Sequence, residues 1–318
     1  MRNILIVLSF LIIFVSCNNS NNSTGSNMEN TIITSTNEDG STTFEQKNSR
    51  YNIEYIPNVV YAKKDNTDLT LQIMIPRLLF VDTNAKYPLV VYIQGSAWRK
   101  QNVYRNLVAL GDFARRGYVV AIVEYRPSDT AVFPAQIEDT RDAIKFMIDN
   151  ADKYNADTNN LFVWGDSSGG HTALFTAIPL NENDNTIPDM NAIISYYPPT
   201  DLLEMRNDPL GSTTGDAESP EGILIGRKNV YDFPEEAKRI SPYYEISKVK
   251  NLPPILLAHG TGDKLVPFNQ SKILADKLKE ENRVYEFYAL KDADHGDWQF
   301  WTKDMFDVVE NFINKYKK

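Results

Sequence analysis

The sequence predicts an α/β fold, with a mostly parallel central sheet of about eight strands and helices on both faces. Three observations predict it. Short, continuously apolar runs such as Pro88-Leu89-Val90-Val91-Tyr92-Ile93 read as strands buried on both sides. Segments of helical period, clearest over residues 135–150, alternate with these runs. The first two strands have no helix between them, which predicts an antiparallel start to the sheet.

The chain of 318 residues is 42% hydrophobic and holds 15 Gly and 16 Pro, enough for one large domain with its own core. A net charge of −9 argues against nucleic acid as a partner, since phosphate rewards clustered Lys and Arg. At the start, Arg2 precedes an apolar stretch over 4–15 broken only by Ser9. It is short for a membrane span and has the shape of a signal-peptide core. It runs into Phe14-Val15-Ser16-Cys17, and Cys17 is the only cysteine, so no internal disulfide can form. A sole cysteine directly after such a core resembles a bacterial lipoprotein site. The expectation is a leader over 1–17, lipidation of Cys17, export, and membrane contact through that anchor only. An ordinary secretory signal with an incidental cysteine is the alternative. Residues 18–49, rich in Asn, Ser and Thr, are expected to be a disordered tether.

The folded unit is expected over 50–318. Strands are predicted over 53–62 and 69–75, the second alternating Leu69, Leu71, Ile73, Ile75. Residues 88–93 form the central strand. A helix over 106–116 ends at Gly117, and 119–123 is the next buried strand. The helix over 135–150 carries Ile137, Ala143, Ile144, Met147 and Ile148 on one side. Strand 161–164 and helix 172–177 flank a Gly/Ser-rich turn, and 191–197 is another strand. Residues 201–247 are a long irregular insertion without a long amphipathic helix, expected to be a small cap over the site. Strand 254–258, helix 269–281, strand 284–290 and helix 305–316 close the fold. There is no internal repeat.

The chemistry gathers at Gly165-Asp166-Ser167-Ser168-Gly169-Gly170-His171. Strand, Gly-x-Ser-x-Gly and helix in succession make a nucleophile elbow, which reverses the chain within a few residues and exposes the Ser167 hydroxyl on a strained turn. Gly165 and Gly169, lacking Cβ atoms, let strand and helix close around it. The Ser168 N–H opens the helix, so an orphan donor and the positive end of the dipole lie beside the hydroxyl.

A serine hydroxyl needs a base at neutral pH, and the base needs an orienting acid. The chain offers three histidines. His171 follows Ser167 on the same helix and reads as a brace for the elbow. His259 reads as a stabiliser of the turn Gly260-Thr261-Gly262-Asp263. His295, in Asp292-Ala293-Asp294-His295-Gly296, follows the last strand and can reach across the carboxyl ends of the strands, the ligand side of open α/β sheets. Asp263, after the preceding strand, is the favoured acid. Asp292 and Asp294 compete for that role, but their loop would have to fold back on itself. Ser167, Asp263 and His295 then follow in the order of a Ser-Asp-His triad. The charge on a tetrahedral intermediate needs preorganised donors. Ser168 is one, and the other is expected at Ser96 in the loop Gln94-Gly95-Ser96-Ala97-Trp98.

These motifs resemble the carboxylesterases of the α/β-hydrolase superfamily, close to the BD-FAE-like (feruloyl and acetyl esterase) and hormone-sensitive-lipase-like bacterial enzymes. The matching segments are Gly165 to His171, His259 to Pro267, Asp294-His295-Gly296, Phe133-Pro134-Ala135-Gln136 and Ser219-Pro220-Glu221. With the strands between them, the likeness covers residues 88–296. The departure is Gln94-Gly95-Ser96-Ala97-Trp98, where such enzymes usually have His-Gly-Gly, a small residue and Trp. The resemblance implies an α/β-hydrolase fold and a serine esterase working through an acyl-enzyme. It implies a small-molecule or carbohydrate ester substrate with an acetyl, other short acyl or feruloyl group, and no metal or organic cofactor. Trp98, Tyr196, Tyr197, Trp298 and Trp301 are expected near the mouth as flat faces for sugars or aromatic acyl groups, at least two of them being core residues. Two other readings stand beside it. One is a peptidase of the prolyl-oligopeptidase type, although those enzymes normally carry a large N-terminal propeller. The other is a non-catalytic surface-binding lipoprotein, which a missing triad residue would favour. Oligomeric state is left open.

Overall fold

A computed structural model describes residues 33–37, 39–45, 51–77, 85–205 and 215–318. The expected leader and Cys17 lie outside the described residues. The chain divides into two units, Met1–Ser49 and Arg50–Lys318. In the first, β1 (Ile33–Thr36) pairs antiparallel with β2 (Thr42–Glu45), so part of the stretch expected to be a structureless tether is a hairpin. Its cause is local. Asp39-Gly40 is a turn dipeptide, with Gly40 at φ +82°, and the Asp39 carboxylate accepts the Ser41 N–H and hydroxyl.

The second unit holds β3 (Asn52–Lys64), β4 (Thr67–Arg77), β5 (Tyr87–Ile93), β6 (Val119–Val123), β7 (Ala156–Asp166), β8 (Ala192–Tyr196), β9 (Ile255–Gly260) and β10 (Tyr285–Leu290). They form one eight-stranded sheet in the order β10-β9-β8-β7-β5-β6-β4-β3. The pairs β3–β4 and β4–β6 are antiparallel, and every other pair is parallel. A two-residue turn joins β3 to β4, whereas each parallel step needs a crossover, which supplies the helices. Strand β7 begins at Ala156, earlier than the apolar run from Leu161 suggested. Its polar start, Asp157-Thr158-Asn159, hides the extension.

Strand β5 is buried at every position, because helices cover both faces of the sheet. Leu89, Val91 and Ile93 face the core shared with α2 (Ala135–Asp149), α3 (Ser168–Phe175) and α7 (Asn269–Glu280). Val90 and Tyr92 face the other core, with α1 (Leu107–Ala114) and α8 (Lys303–Tyr316). The insertion is built of short helices, α4 (Pro220–Leu224), α5 (Pro234–Arg239) and α6 (Pro242–Glu245), each opened by a proline at its first turn. Leu202, Met205, Leu224, Val230 and Ile240 give it a small core of its own, closed by Trp98 and Val266 from two loops at the carboxyl end of the sheet. Among the described residues no helix is long and apolar enough to cross a membrane.

Candidate active site

Ser167 sits between β7 and α3 with φ +54° and ψ −127°, a conformation that costs a non-glycine residue about 1–3 kcal/mol. The surroundings hold it there. Its N–H donates to the Tyr196 carbonyl at 2.9 Å, and its own carbonyl accepts the His171 N–H at 3.0 Å. A Cβ on Gly165 would lie 2.1 Å from the Gly169 carbonyl oxygen, and one on Gly169 would lie 2.0 Å from that of Ile93. Only glycine permits this approach. At the far end of α3, Arg141 donates to the carbonyls of Phe175, Thr176 and Ile178 and pairs with Asp184 at 2.7 Å. The short helix is therefore fixed at both ends.

The loops after β9 and β10 bring Asp263 and His295 to this hydroxyl. His295 Nε2 is 2.9 Å from Ser167 Oγ, and His295 Nδ1 is 2.7 Å from Asp263 Oδ2. An ionised carboxylate only accepts, so Nδ1 carries the ring proton and Nε2 is left to take the hydroxyl's. Asp263 Oδ1 accepts the N–H groups of Leu265 and Val266, which aims the other oxygen at the imidazole. Burial works to raise this carboxyl, but the bonds from His259 and His295 outweigh it and hold it well below the ordinary carboxylate range.

Asp294 turns the other way. Its carboxylate accepts from the Lys264 side chain and backbone and from the His295 N–H, bonds that lower it to about 2 and tie the two loops together. Asp292 holds its loop by donating its N–H to Thr261 Oγ1. His259 is buried, with Nε2 against the Val266 carbonyl at 2.9 Å and Nδ1 against Ser271 Oγ at 2.7 Å. His171 accepts the Trp98 indole N–H at Nδ1 (3.1 Å) and donates from Nε2 to the Ile240 carbonyl (2.7 Å). It thus joins the elbow, the loop after β5 and the insertion. Burial pushes its imidazole down to about 4.

The two N–H groups expected to serve a developing oxyanion differ in their partners. Ser168 opens α3, and its N–H has no acceptor within the helix. The Ser96 N–H, the expected second donor, instead donates to Ser168 Oγ at 2.9 Å. A hydroxyl at position 168 supplies an acceptor that the motif alone did not reveal. The next residue, Ala97, lines the cavity beside Ser167 and holds φ +54°. Asp166 was missed by the sequence reading. Buried beneath the elbow, it accepts the Gly95 N–H at 2.8 Å, the Tyr92 hydroxyl at 2.5 Å and the Tyr197 hydroxyl at 3.3 Å. Burial raises its carboxyl above the ordinary range, against the bonds from Tyr92 and Gly95. Its signal was a carboxylate at the end of a buried strand, which must have partners.

A cavity of about 160 Å³ opens beside Ser167, walled by Trp98, Pro199, Met205, Glu221, Leu265 and Val266. Of the five aromatics expected at the mouth, Trp98 is a buried wall of this cavity, and Tyr196 and Tyr197 are core residues. Trp301 stacks on Trp164, and Trp298 is 72% exposed and does not line the cavity beside Ser167. Among the described residues no group of three or more His, Cys, Asp or Glu is arranged to hold a metal ion.

Residues 72–278 match the BD-FAE family model. The chain is 26% identical over 218 residues to Esterase LipC of Mycobacterium tuberculosis, covering 66% of this chain and 53% of that protein. It therefore spans about half the length of this curated relative. Among solved structures, it is similar to a truncated form of a carbohydrate esterase from gut microbiota. The TM-score is 0.71 and the identity 26%, with 85% of this chain and 98% of that one covered. It is also similar to propionate-bound esterase 2 of Thermogutta terrifontis, with a TM-score of 0.65 and 25% identity over 83% of this chain and 94% of that one.

Proposed function

The chain belongs to the BD-FAE family, and on that footing we propose that it is a serine carboxylesterase that removes short acyl groups from carbohydrate esters. The observation that carries the reading is the unbroken line from Asp263 through His295 to Ser167 Oγ, at 2.7 and 2.9 Å. Ser167 Oγ attacks the ester carbonyl while His295 Nε2 takes its proton. The resulting oxyanion lies between the N–H groups of Ser168 and Ala97. As the intermediate collapses, His295 returns the proton to the leaving alcohol, and an acyl-Ser167 remains. Water, activated by the same imidazole, then releases the acid and restores the serine. Asp263 keeps the ring in the correct tautomer and stabilises the imidazolium.

The size of the acyl group is argued from the cavity. Its volume of about 160 Å³ is close to that of an engineered cavity, about 150 Å³, that holds one benzene. An acetyl or propionyl group, or a single aromatic ring, fits it. The propionate in the Thermogutta relative and the carbohydrate activity of the gut esterase support a short acyl group on a sugar. Trp298 offers a flat apolar face for the sugar. Export and a lipid anchor at Cys17 complete the proposal, resting on the signal-like leader and the position of that cysteine.

The test is hydrolysis of acetyl, butyryl, octanoyl and feruloyl esters of one alcohol, beside peptide anilides. A pocket that extended along the acyl chain would gain about 0.8 kcal/mol, or about fourfold in kcat/KM, for each buried methylene. The expected result is a maximum at the short esters. A steady rise to octanoyl overturns the short-acyl reading. Cleavage of anilides without ester hydrolysis overturns the esterase.

A further inference from the structure

We propose that the hydroxyls of Ser168 and Tyr125 hold Ser96 from two sides and so position the loop carrying Ala97. The inference rests on the esterase reading and concerns the same site. The direction of each bond follows from counting protons. The Ser96 hydroxyl lies 2.7 Å from the Arg99 carbonyl, which can only accept, so its single proton is committed there. The Tyr125 phenol, 3.1 Å from the same Ser96 oxygen, must therefore donate to it. Ser168 Oγ accepts the Ser96 N–H at 2.9 Å. Residue 96 is therefore held through its hydroxyl by Tyr125 and through its N–H by Ser168. The Ser168 hydroxyl oxygen acts here as an acceptor that places the loop, beside the backbone N–H of the same residue.

The loop needs such placement. Ala97 and Trp98 both hold φ near +55°, at +54° and +55°, a pair of left-handed residues that relaxes unless the surroundings forbid it. Its edges are fastened elsewhere. The Asp166 carboxylate takes the Gly95 N–H at 2.8 Å. Gln101 bridges the Tyr125 N–H and the Gln94 carbonyl at 2.8 and 3.0 Å, and the Ser128 N–H reaches the Trp98 carbonyl at 2.8 Å. Within the loop the Ser96 carbonyl accepts the Arg99 N–H at 3.1 Å, and the two hydroxyls fasten residue 96 to the elbow and to Tyr125. Tyr125 is itself buried two residues past the end of β6, so it offers a rigid reference. An oxyanion donor displaced by a fraction of an ångström loses most of its effect.

The experiment compares Tyr125→Phe, Ser168→Ala, their double variant and Ser96→Ala. Ser96 is only half-buried, and its alanine variant keeps the backbone N–H, so it removes one hydroxyl with little risk to folding. Two quantities are read: kcat and KM on an acetyl ester, and the rate at which a fluorophosphonate modifies Ser167, followed by intact mass. The phosphonyl oxygen of that adduct occupies the oxyanion position. Each single variant is expected to lower kcat about tenfold, with KM held within about twofold, and to slow labelling by a similar factor. The double variant is expected to be no worse than the poorer single one, because both hydroxyls act through the same residue, Ser96. Wild-type kcat and labelling in variants with unchanged thermal midpoints overturn the proposal. So do effects of Tyr125→Phe and Ser168→Ala that multiply, or that fall on KM alone. A wild-type protein that neither hydrolyses esters nor takes the probe overturns the esterase reading and the positioning role with it.

Discussion

At the scale of single residues, Ser167 and His171 show how one turn of helix divides labour between chemistry and architecture. Ser167→Ala removes the nucleophile but no buried contact of size. Ester hydrolysis is expected to fall by about 10³-fold or more, with the unfolding midpoint unchanged. Activity near that of the wild type in the purified variant would place the nucleophile elsewhere. His171 makes the opposite prediction. Its Nδ1 faces the Trp98 N–H, so a proton there would set two donors against each other. Its imidazole titrates at about 4 in the folded protein, pushed down by burial. In the unfolded chain it titrates near about 6.5. Between these values the unfolded chain binds a proton that the folded one refuses, so stability falls as pH drops. The loss is about 1.4 kcal/mol per pH unit and about 3 kcal/mol in all by pH 4. The lowered carboxyl of Asp263 adds stability that is present above the ordinary carboxylate range and lost as pH falls below it. Urea unfolding of the wild type and His171→Gln between pH 7.5 and 4.5 checks this. The wild-type curve should slope and the variant's should flatten; parallel curves would acquit His171.

At the scale of elements, the sheet was legible wherever burial on both faces left an uninterrupted apolar run, as in the central strand from Tyr87 to Ile93. It was hidden where strands begin in polar residues, as at Asp157-Thr158-Asn159. The hairpin at Asp39-Gly40 was masked by the Asn/Ser/Thr-rich composition around it. The positions of Ser167, Asp263 and His295 were legible because each follows a strand, and all strands of a parallel sheet end on one side. The bond of the Ser96 N–H was hidden because its acceptor is a side chain on another element, which no local pattern encodes. Arg141 was equally unreadable. In the sequence it is one charge on an amphipathic helix, yet it is almost fully buried against Asp184 and three carbonyls at the end of α3. Arg141→Met would remove the guanidinium from those carbonyls and leave Asp184 only its bonds from Leu180 and Thr186, with no opposing charge. It is expected to cost about 3–5 kcal/mol of unfolding free energy in urea. A loss below about 1 kcal/mol would mean that water replaces the guanidinium, and that α3 does not depend on it.

At the scale of the whole molecule, the unit from Arg50 to Lys318 holds the sheet, both cores and every residue to which chemistry is assigned here. The proposal for Cys17 therefore separates location from catalysis. If Cys17 carries the lipid, several acyl chains at one end anchor the protein firmly, and among the described residues no helix is long and apolar enough to replace them. Cys17→Ser, expressed in a bacterial host that processes lipoproteins, is expected to move the protein from the membrane fraction to the soluble one. Its kcat/KM on a soluble acetyl ester should stay within about twofold of the wild type, because the triad lies in a separate unit. Fractionation and the ester assay on the same lysates read both quantities. Unchanged partitioning would refute the anchor while leaving the esterase untouched. A soluble variant that also lost activity would show that the catalytic unit depends on the anchored segment, against the division drawn at Ser49.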